Sequence, residues 1–211
     1  MKKILFTQSY FYRFDSKQWD TKQPYPPLGT IYVAAVMRKA GYNVSLFDTA
    51  LIESSEKIIP IIEEQKPDYL VIYDDGFNYL TKMCLTNMRE AAFKMAEIAQ
   101  KKGIKVIASS SDAADHFEKY IAHGVDFVVI GEGEITLKEL IRKIDTGESD
   151  FRNIDGLAFK ENGNLIRTSS RQIVTELDSF PMPAWDLIDI PSYKKIWMEN
   201  HGYFSLNIAT T

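Results

Sequence analysis

The 211-residue sequence predicts an α/β fold: a doubly wound, five-stranded parallel sheet in the order 2-1-3-4-5, with a β-hairpin and an extended linker after it. Three observations carry that expectation. Short β-rich runs alternate with amphipathic stretches through the first two thirds of the chain. Glycine or Pro-Asp punctuates most of the changes, and beyond Gly147 the alternation stops. Parallel strands need crossover helices, and right-handed crossovers cover both faces of the sheet.

Lys3–Gln8 (KILFTQ) reads as the first strand, and Ser9–Pro27 as a long aromatic and polar loop without periodicity. Leu28–Ala40 reads as a helix stopped at Gly41, and Val44–Phe47 as a second strand closing on Asp48. Ile52–Gln65 is helical in spacing, with Pro60 kinking or splitting it. Tyr69–Tyr73 is the third strand. Leu80–Lys102 is the longest helical pattern, with Met83, Cys84, Met88, Ala91, Ala92, Met95 and Ala99 at three- and four-residue steps. Ile104–Ala108 follows as the fourth strand, then Ala113–Ala122 as a short helix stopped by Gly124. Phe127–Ile130 is the fifth strand, and Ile135–Ile144 a helix with Leu137, Leu140, Ile141 and Ile144 on one face.

From Gly147 the character changes. Asn162-Gly163 between two short β-rich runs is a hairpin signal. The segment ELDSFPMPAWDLIDIPSY, with its three prolines, reads as an extended linker lying across a surface. Tyr203–Ala209 alternates like a strand, and a chain stopping just behind it reads as cut rather than finished.

Composition narrows the function classes. Basic and acidic residues number 25 and 29, for a net charge of −4, and no segment concentrates Lys and Arg as a nucleic-acid footprint would. The longest apolar runs are far too short for a bilayer span, and the N-terminus is a poor signal peptide. A single cysteine, Cys84, excludes an internal disulfide framework and fits a reducing cytoplasm.

In the 2-1-3-4-5 order a ligand crevice opens at the carboxyl ends of the strands, beside strands 1 and 3. The loops there are Ser9–Pro27, Asp74–Tyr79, Ser109–Asp112 and Gly131–Glu134. The last of these, in VDFVVIGEGEITLKELI, partly matches the dinucleotide motif G-x-G-x-x-G, but Thr136 stands at the third glycine. Glu132 and Glu134 would also repel a pyrophosphate. The turn reads equally as helix–strand packing with an acid at the helix N-terminus. The aromatics Tyr10, Phe11, Tyr12, Phe14, Trp19 and Tyr25 of the first loop suit a flat ligand or a small cluster of their own. Ser109-Ser110-Ser111-Asp112 offers free amides or a helix cap by Asp112. Asp74-Asp75 lacks the companion carboxylates and lysine of a receiver site. His116, His123 and His201 are scattered without metal-ligand spacing, Cys84 reads as a small core hydrophobe, and no catalytic triad is apparent.

Taken together and in order, four segments carry a resemblance: YPPLGTIYVAAVMRKAGYNVSLFDT, KPDYLVIYDD, IKVIASSSDAADHFEKYIAHGVDFVVIGEGEITLKELI and LDSFPMPAWDLID. They resemble the N-terminal cobalamin-binding domain of B12-dependent radical SAM enzymes, with its Pro-Pro-Leu-Gly helix entry, its G-E-G-E turn and its P-A-W-D linker. The likeness covers nearly the whole chain.

The resemblance implies a bound corrinoid at Ser9, Tyr10, Pro27, Leu28, Gly29, Asp75, Asn78, Tyr79, Ser109–Asp112 (Ser109, Ser110, Ser111, Asp112) and Gly131, Glu132, Gly133, Glu134. Here Ser-Ser-Ser stands where many relatives have Gly-Gly. No D-x-H-x-x-G follows the first strand, so cobalamin is expected base-off, without a protein histidine on cobalt. The C-x-x-x-C-x-x-C motif that holds a [4Fe-4S] cluster for S-adenosylmethionine is absent. The resemblance therefore implies a cobalamin domain over residues 1–147, a hairpin and Pro-rich linker over 148–202, and the first strand of a radical SAM barrel over 203–211. The longer enzyme would transfer a methyl group or run a related radical reaction, the fragment alone being non-catalytic. The alternatives are an α/β interaction or signalling domain without cofactor, and a flavodoxin-like flavin binder, for which SYFYRFDSKQ is a poor phosphate loop.

Overall fold

Strand β3, Tyr69–Tyr73, is buried at all five positions, as a central strand covered on both faces must be. A computed structural model of the chain, describing residues 1–74 and 85–208, places it beside β1 (Lys3–Thr7) in a mixed sheet. β2 (Asn43–Phe47) flanks β1 on the far side, and β4 (Lys105–Ser109) and β5 (Phe127–Val129) follow β3. These five strands are parallel and take the expected order 2-1-3-4-5.

The hairpin around Asn162–Gly163 forms as β6 (Leu157–Glu161) and β7 (Asn164–Arg167), with both turn residues at positive φ, 50° and 84°. It adds antiparallel to β5, so the described sheet has seven strands in the order β2-β1-β3-β4-β5-β6-β7. This is the one respect in which the sheet exceeds the expected five. The reason is apolar: Leu157 and Phe159 face Val129 and Phe127, and Phe127, Phe151 and Phe159 pack ring to ring. β7, mostly exposed and carrying Asn164 and Arg167, leaves a polar edge.

Helices cover the sheet from both sides. α2 (Leu28–Lys39) and α7 (Gly133–Asp145) supply Val33, Ala34, Met37, Leu137, Leu140 and Ile141 to one face. α3 (Ile58–Gln65), α4 (Leu85–Lys101), α5 (Ser111–Asp115) and α6 (Phe117–Ala122) pack on the other. The chain leaves β1 toward the first face and β3 toward the second, so the crossovers diverge between those neighbouring strands.

Several local expectations are corrected. The Ser9–Pro27 loop contains a 3-10 turn, Tyr12–Phe14, and a short helix α1 (Ser16–Thr21) capped by Asp15, which accepts from Gln18 N at 3.1 Å. Its aromatics pack on one another, Phe11 with Phe14 and Tyr12 with Trp19, and Tyr10, Phe11 and Tyr12 are buried. Pro60 falls in the first turn of α3, behind a 3-10 turn at Ser55–Lys57, where its missing N–H leaves no bond unmade. The expected single helix Ala113–Ala122 is two, α5 and α6, parted at His116.

The linker is not extended throughout. After two 3-10 turns, Leu177–Ser179 and Trp185–Leu187, it forms α8 (Ile190–His201), with proline in its first turn and Asp189 accepting from Ser192 N. Residues 203–208, expected as a strand, are not one; the Asn207 amide instead donates to the Pro26 carbonyl at 3.2 Å. The start of the long helix from Leu80, Cys84, and the expected loop residues Asp75, Asn78 and Tyr79 lie outside the described residues.

Candidate functional site

At the carboxyl ends of β1, β3 and β4 three polar residues form a row. Ser9 donates its backbone N–H and its Oγ–H to the two carboxylate oxygens of Asp74, at 2.6 and 2.8 Å. Asp74 N in turn donates to the Ser109 carbonyl at 2.9 Å. All three residues are buried. The sequence marked Ser9 and Ser109; Asp74 as their tie was missed, and its only signal was an acid directly behind an apolar strand.

Two helix N-termini converge on the last residue of β3. Thr30, in the first turn of α2, donates Oγ1–H to the Tyr73 carbonyl at 2.6 Å. This brings Pro27, Leu28 and Gly29, which open the helix, to the mouth of the crevice. Leu28 itself packs with Ile31, Ala50, Ile188 and Tyr193. Beyond β5, two strands from β3, Gly133 starts α7 against the Tyr73 ring. A Cβ at Gly133 would lie 2.8 Å from Tyr73 Cε2 and 3.1 Å from Val129 Cγ1. That glycine is needed for helix–strand packing.

Gly131 answers to a different requirement. Its φ of 80° is in the left-handed region, where a side chain costs about 1–2 kcal/mol. A Cβ there would meet nothing within 4 Å. The turn therefore has one glycine closed against the protein, as the helix–strand packing reading expects, and one with open space where a side chain would stand.

The acids of the turn also divide. Glu132 is exposed and accepts from Val174 N at 3.2 Å. Glu134 is partly buried; burial, with a smaller push from Glu132, raises its pKa above the usual carboxylate value against the pull of its own amide and the Tyr73 hydroxyl.

Ser110, rather than Asp112, caps α5, its Oγ accepting from Ala113 N at 2.8 Å, and Ser111 is exposed. Asp112 is turned inward. Arg89 on α4 grips it twice, at 2.7 and 2.5 Å, and the Tyr120 hydroxyl donates to it at 2.9 Å. Burial pulls the Asp112 pKa up, but the Arg89 and Tyr120 contacts outweigh it and hold the pKa below the usual range. Tyr10 is likewise occupied: its hydroxyl donates to Asp15 at 3.1 Å and its carbonyl accepts from Thr49 at 2.8 Å.

The described residues thus bring Ser9, Asp74, Ser109–Ser111, Pro27–Gly29 and Gly131–Glu134 to one end of the sheet. They supply backbone amides, hydroxyls and one open glycine, a set suited to holding and orienting a large ligand. Among the described residues no three of His, Cys, Asp and Glu are grouped to hold a metal ion. Nor is any described helix long and apolar enough to cross a membrane. At the opposite, amino ends of the strands a polar cleft of about 410 Å3 is lined by Lys2, Asp68, Tyr69, Lys105 and Asp145. Within it Lys2 pairs with Asp68 at 2.9 Å and the Tyr69 hydroxyl donates to Asp145 at 2.6 Å, while Lys105 reaches Asp126 outside the lining at 3.8 Å.

Comparison with known proteins meets this geometry. The model of the family described as "B12 binding domain" matches residues 20–141, more than half of the chain and all five parallel strands but the first. The methyltransferase PH0819 of Pyrococcus horikoshii, whose name marks it uncharacterized, is 28% identical over 174 residues, 80% of this chain and 35% of its own. The anaerobic magnesium-protoporphyrin IX monomethyl ester cyclase of a Synechocystis species is 24% identical over 178 residues, 82% of this chain and 34% of its own.

Among solved structures, the cobalamin-dependent S-adenosylmethionine radical enzyme OxsB with aqua-cobalamin bound shares the fold at a TM-score of 0.69 and 16% identity. That match covers 93% of this chain and 25% of OxsB. The radical S-adenosylmethionine methyltransferase TsrM of Kitasatospora setae, with cobalamin and a [4Fe-4S] cluster bound, matches at 0.61 and 15% identity over 87% of this chain and 31% of TsrM. The chain spans about a third of the length of these curated relatives. With the family match running from residue 20 to residue 141, through four of the five parallel strands, the chain belongs to the B12-binding domain family.

Proposed function

We propose that the chain holds cobalamin at the carboxyl ends of β1, β3, β4 and β5, as the cobalamin module of a longer radical SAM enzyme. The observation that carries the placement is Gly131, which keeps backbone at the crevice with open space where a side chain would stand. The donor set supports it further. A corrin bears primary carboxamides around its rim and a nucleotide tail, and hydroxyls and amides of the kind found at Ser109–Ser111 suit both.

The role of each residue follows from position. Gly131 and Glu132 border the open side of the turn, Gly133 locks α7 onto Tyr73, and the Ser9–Asp74 bonds tie the ends of β1 and β3 together. Pro27–Gly29 form the opposite edge. Asp112 supports the Ser109–Ser111 loop through Arg89 and Tyr120 rather than through the ligand. The loop after β1, residues 9–27, has no histidine and would offer bound cobalamin no imidazole for cobalt; base-off binding is what the family resemblance implies. When bound, cobalamin supplies a cobalt centre able to carry a methyl group. The longer protein adds a [4Fe-4S] cluster and S-adenosylmethionine in a barrel domain, transfers a methyl group or runs a related radical reaction, and works in the cytoplasm.

Titration of the chain with hydroxocobalamin, followed by absorbance and calorimetry, tests this reading. Saturable one-to-one binding with a base-off spectrum is expected. A spectrum that stays base-on, or no heat and no spectral change at high micromolar cobalamin, would contradict it.

A further inference from the structure

The segment Gln23-Pro24-Tyr25-Pro26-Pro27 has three residues without an N–H, so it cannot enter a helix or a sheet ladder, and its carbonyls need donors from elsewhere. The Pro27 carbonyl accepts from Ile31 N within α2, while the donors to Pro24 and Pro26 come from the second half of α8 and the residues after it. Trp197 Nε1 donates to the Pro24 carbonyl at 2.8 Å, and Asn207 Nδ2 to the Pro26 carbonyl at 3.2 Å. His201 Nε2 lies 3.0 and 3.1 Å from the Thr21 and Lys22 carbonyls; with two acceptors facing it, that nitrogen carries the proton. Trp197 is buried and meets the Tyr25 ring edge-on, with centroids 5.3 Å apart. α8 is anchored to the sheet by the Tyr193 hydroxyl, which donates to Asp48, the residue behind β2, at 2.6 Å.

The segment so held runs directly into Pro27–Gly29 and the turn of α2 that bonds to Tyr73. The donors lie outside the family match, which ends at residue 141. Asn207 Oδ1 is shielded from solvent and has no hydrogen-bond partner among the described residues, so this side chain is held by its single donated bond to Pro26.

We propose that α8 and the residues after it are a strap that fixes the Pro26–Gly29 edge of the corrinoid site, with Trp197 and Asn207 as its positioning residues. This rests on the cobalamin reading above, and it makes corrinoid retention depend on residues beyond the family domain. Trp197→Phe keeps a ring and removes the donor to Pro24; Asn207→Ala removes the donor to Pro26 and the unpaired acceptor at a half-buried position. Met198→Ala, on the exposed side of the same helix, is the control.

Dissociation constants and release rates for hydroxocobalamin are measured at 20 °C on the whole chain, with thermal unfolding confirming that each variant is folded there. The two strap variants are expected to bind about tenfold more weakly, through faster release, while the control matches the unsubstituted chain. Unchanged binding in a folded Asn207→Ala and Trp197→Phe, beside normal binding by the unsubstituted chain, would overturn the strap alone. Failure of the unsubstituted chain to bind would overturn both readings. If Trp197→Phe does not fold, Asn207→Ala decides the matter by itself.

Discussion

Replacing Asp112 with alanine is expected to lower the thermal unfolding midpoint by about 6–12 °C, corresponding to a loss of about 3 kcal/mol in a chain of this size. The carboxylate is 7% exposed and receives two bonds from Arg89 and one from Tyr120. Its removal leaves a guanidinium that is 22% exposed and a buried phenol without their acceptor, so the loss falls at the low end for a broken buried ion pair. Asp112→Asn, which keeps the shape and one acceptor, is expected to cost about half as much.

The effect depends on pH with a definite sign. The Asp112 pKa in the folded chain lies below its ordinary value, so the unfolded chain takes up the proton first as pH falls. The stabilisation is complete above the unfolded pKa of about 3.9 and is lost as pH drops through the folded pKa. Thermal melts of the two chains should therefore differ fully near neutrality and converge in acid. Equal midpoints at pH 7 would show that the Arg89–Asp112–Tyr120 cluster does not support the β4 end of the sheet.

Gly131→Trp is expected to weaken hydroxocobalamin binding at least about 100-fold, close to 2.7 kcal/mol, while Gly131→Ala stays within a few-fold of the unsubstituted chain. The pair isolates volume from strain. Both substitutions place a Cβ at a φ of 80°, and both lose about 1–2 kcal/mol of folding stability for that reason. A methyl enters space in which nothing lies within 4 Å, whereas an indole fills it. Similar melting midpoints with widely different affinities are the expected signature. Equal affinities would move the corrinoid away from the turn. Position 133 is not equivalent, because any Cβ there strikes the Tyr73 ring whether or not a ligand is present.

Much of the fold was legible because the signals were local. The parallel strands announced themselves as apolar runs, Asn162-Gly163 marked its hairpin, and the order 2-1-3-4-5 is the commonest arrangement of five such strands. The partners that decide the rest are far apart in sequence. That β6 would pair with β5 depended on Phe159 meeting Phe127, 32 positions away, which no periodicity encodes. α8 was read as linker because prolines 181, 183 and 191 dominate the segment, yet Pro191 stands in a first helical turn behind a capping Asp189, a helix start. The aromatic loop after β1 was too short in each piece to show a period.

At the site, the glycine turn and the serine loop were visible as residue types at strand ends. Their division of labour was not. Nothing in GEGE distinguishes the glycine that packs on Tyr73 from the one that faces open space, since that difference lies in β3. Asp112 had the composition of a cap or a ligand contact, and the Arg89 that claims it sits 23 residues earlier on another helix. Asp74 became meaningful only when its carboxylate was seen on Ser9.

The central claim concerns place: the corrinoid sits at the carboxyl ends of the strands and not in the polar cleft at their amino ends. Amide hydrogen exchange of the chain with and without hydroxocobalamin tests it most directly. Slowed exchange is expected at Leu28–Gly29, Ser110–Ser111 and Gly131–Glu134, with Asp68–Tyr69 and Gly103–Lys105 unchanged. Protection confined to Asp68–Tyr69 and Gly103–Lys105, or none at Gly131–Glu134 under saturating cobalamin, would contradict the account.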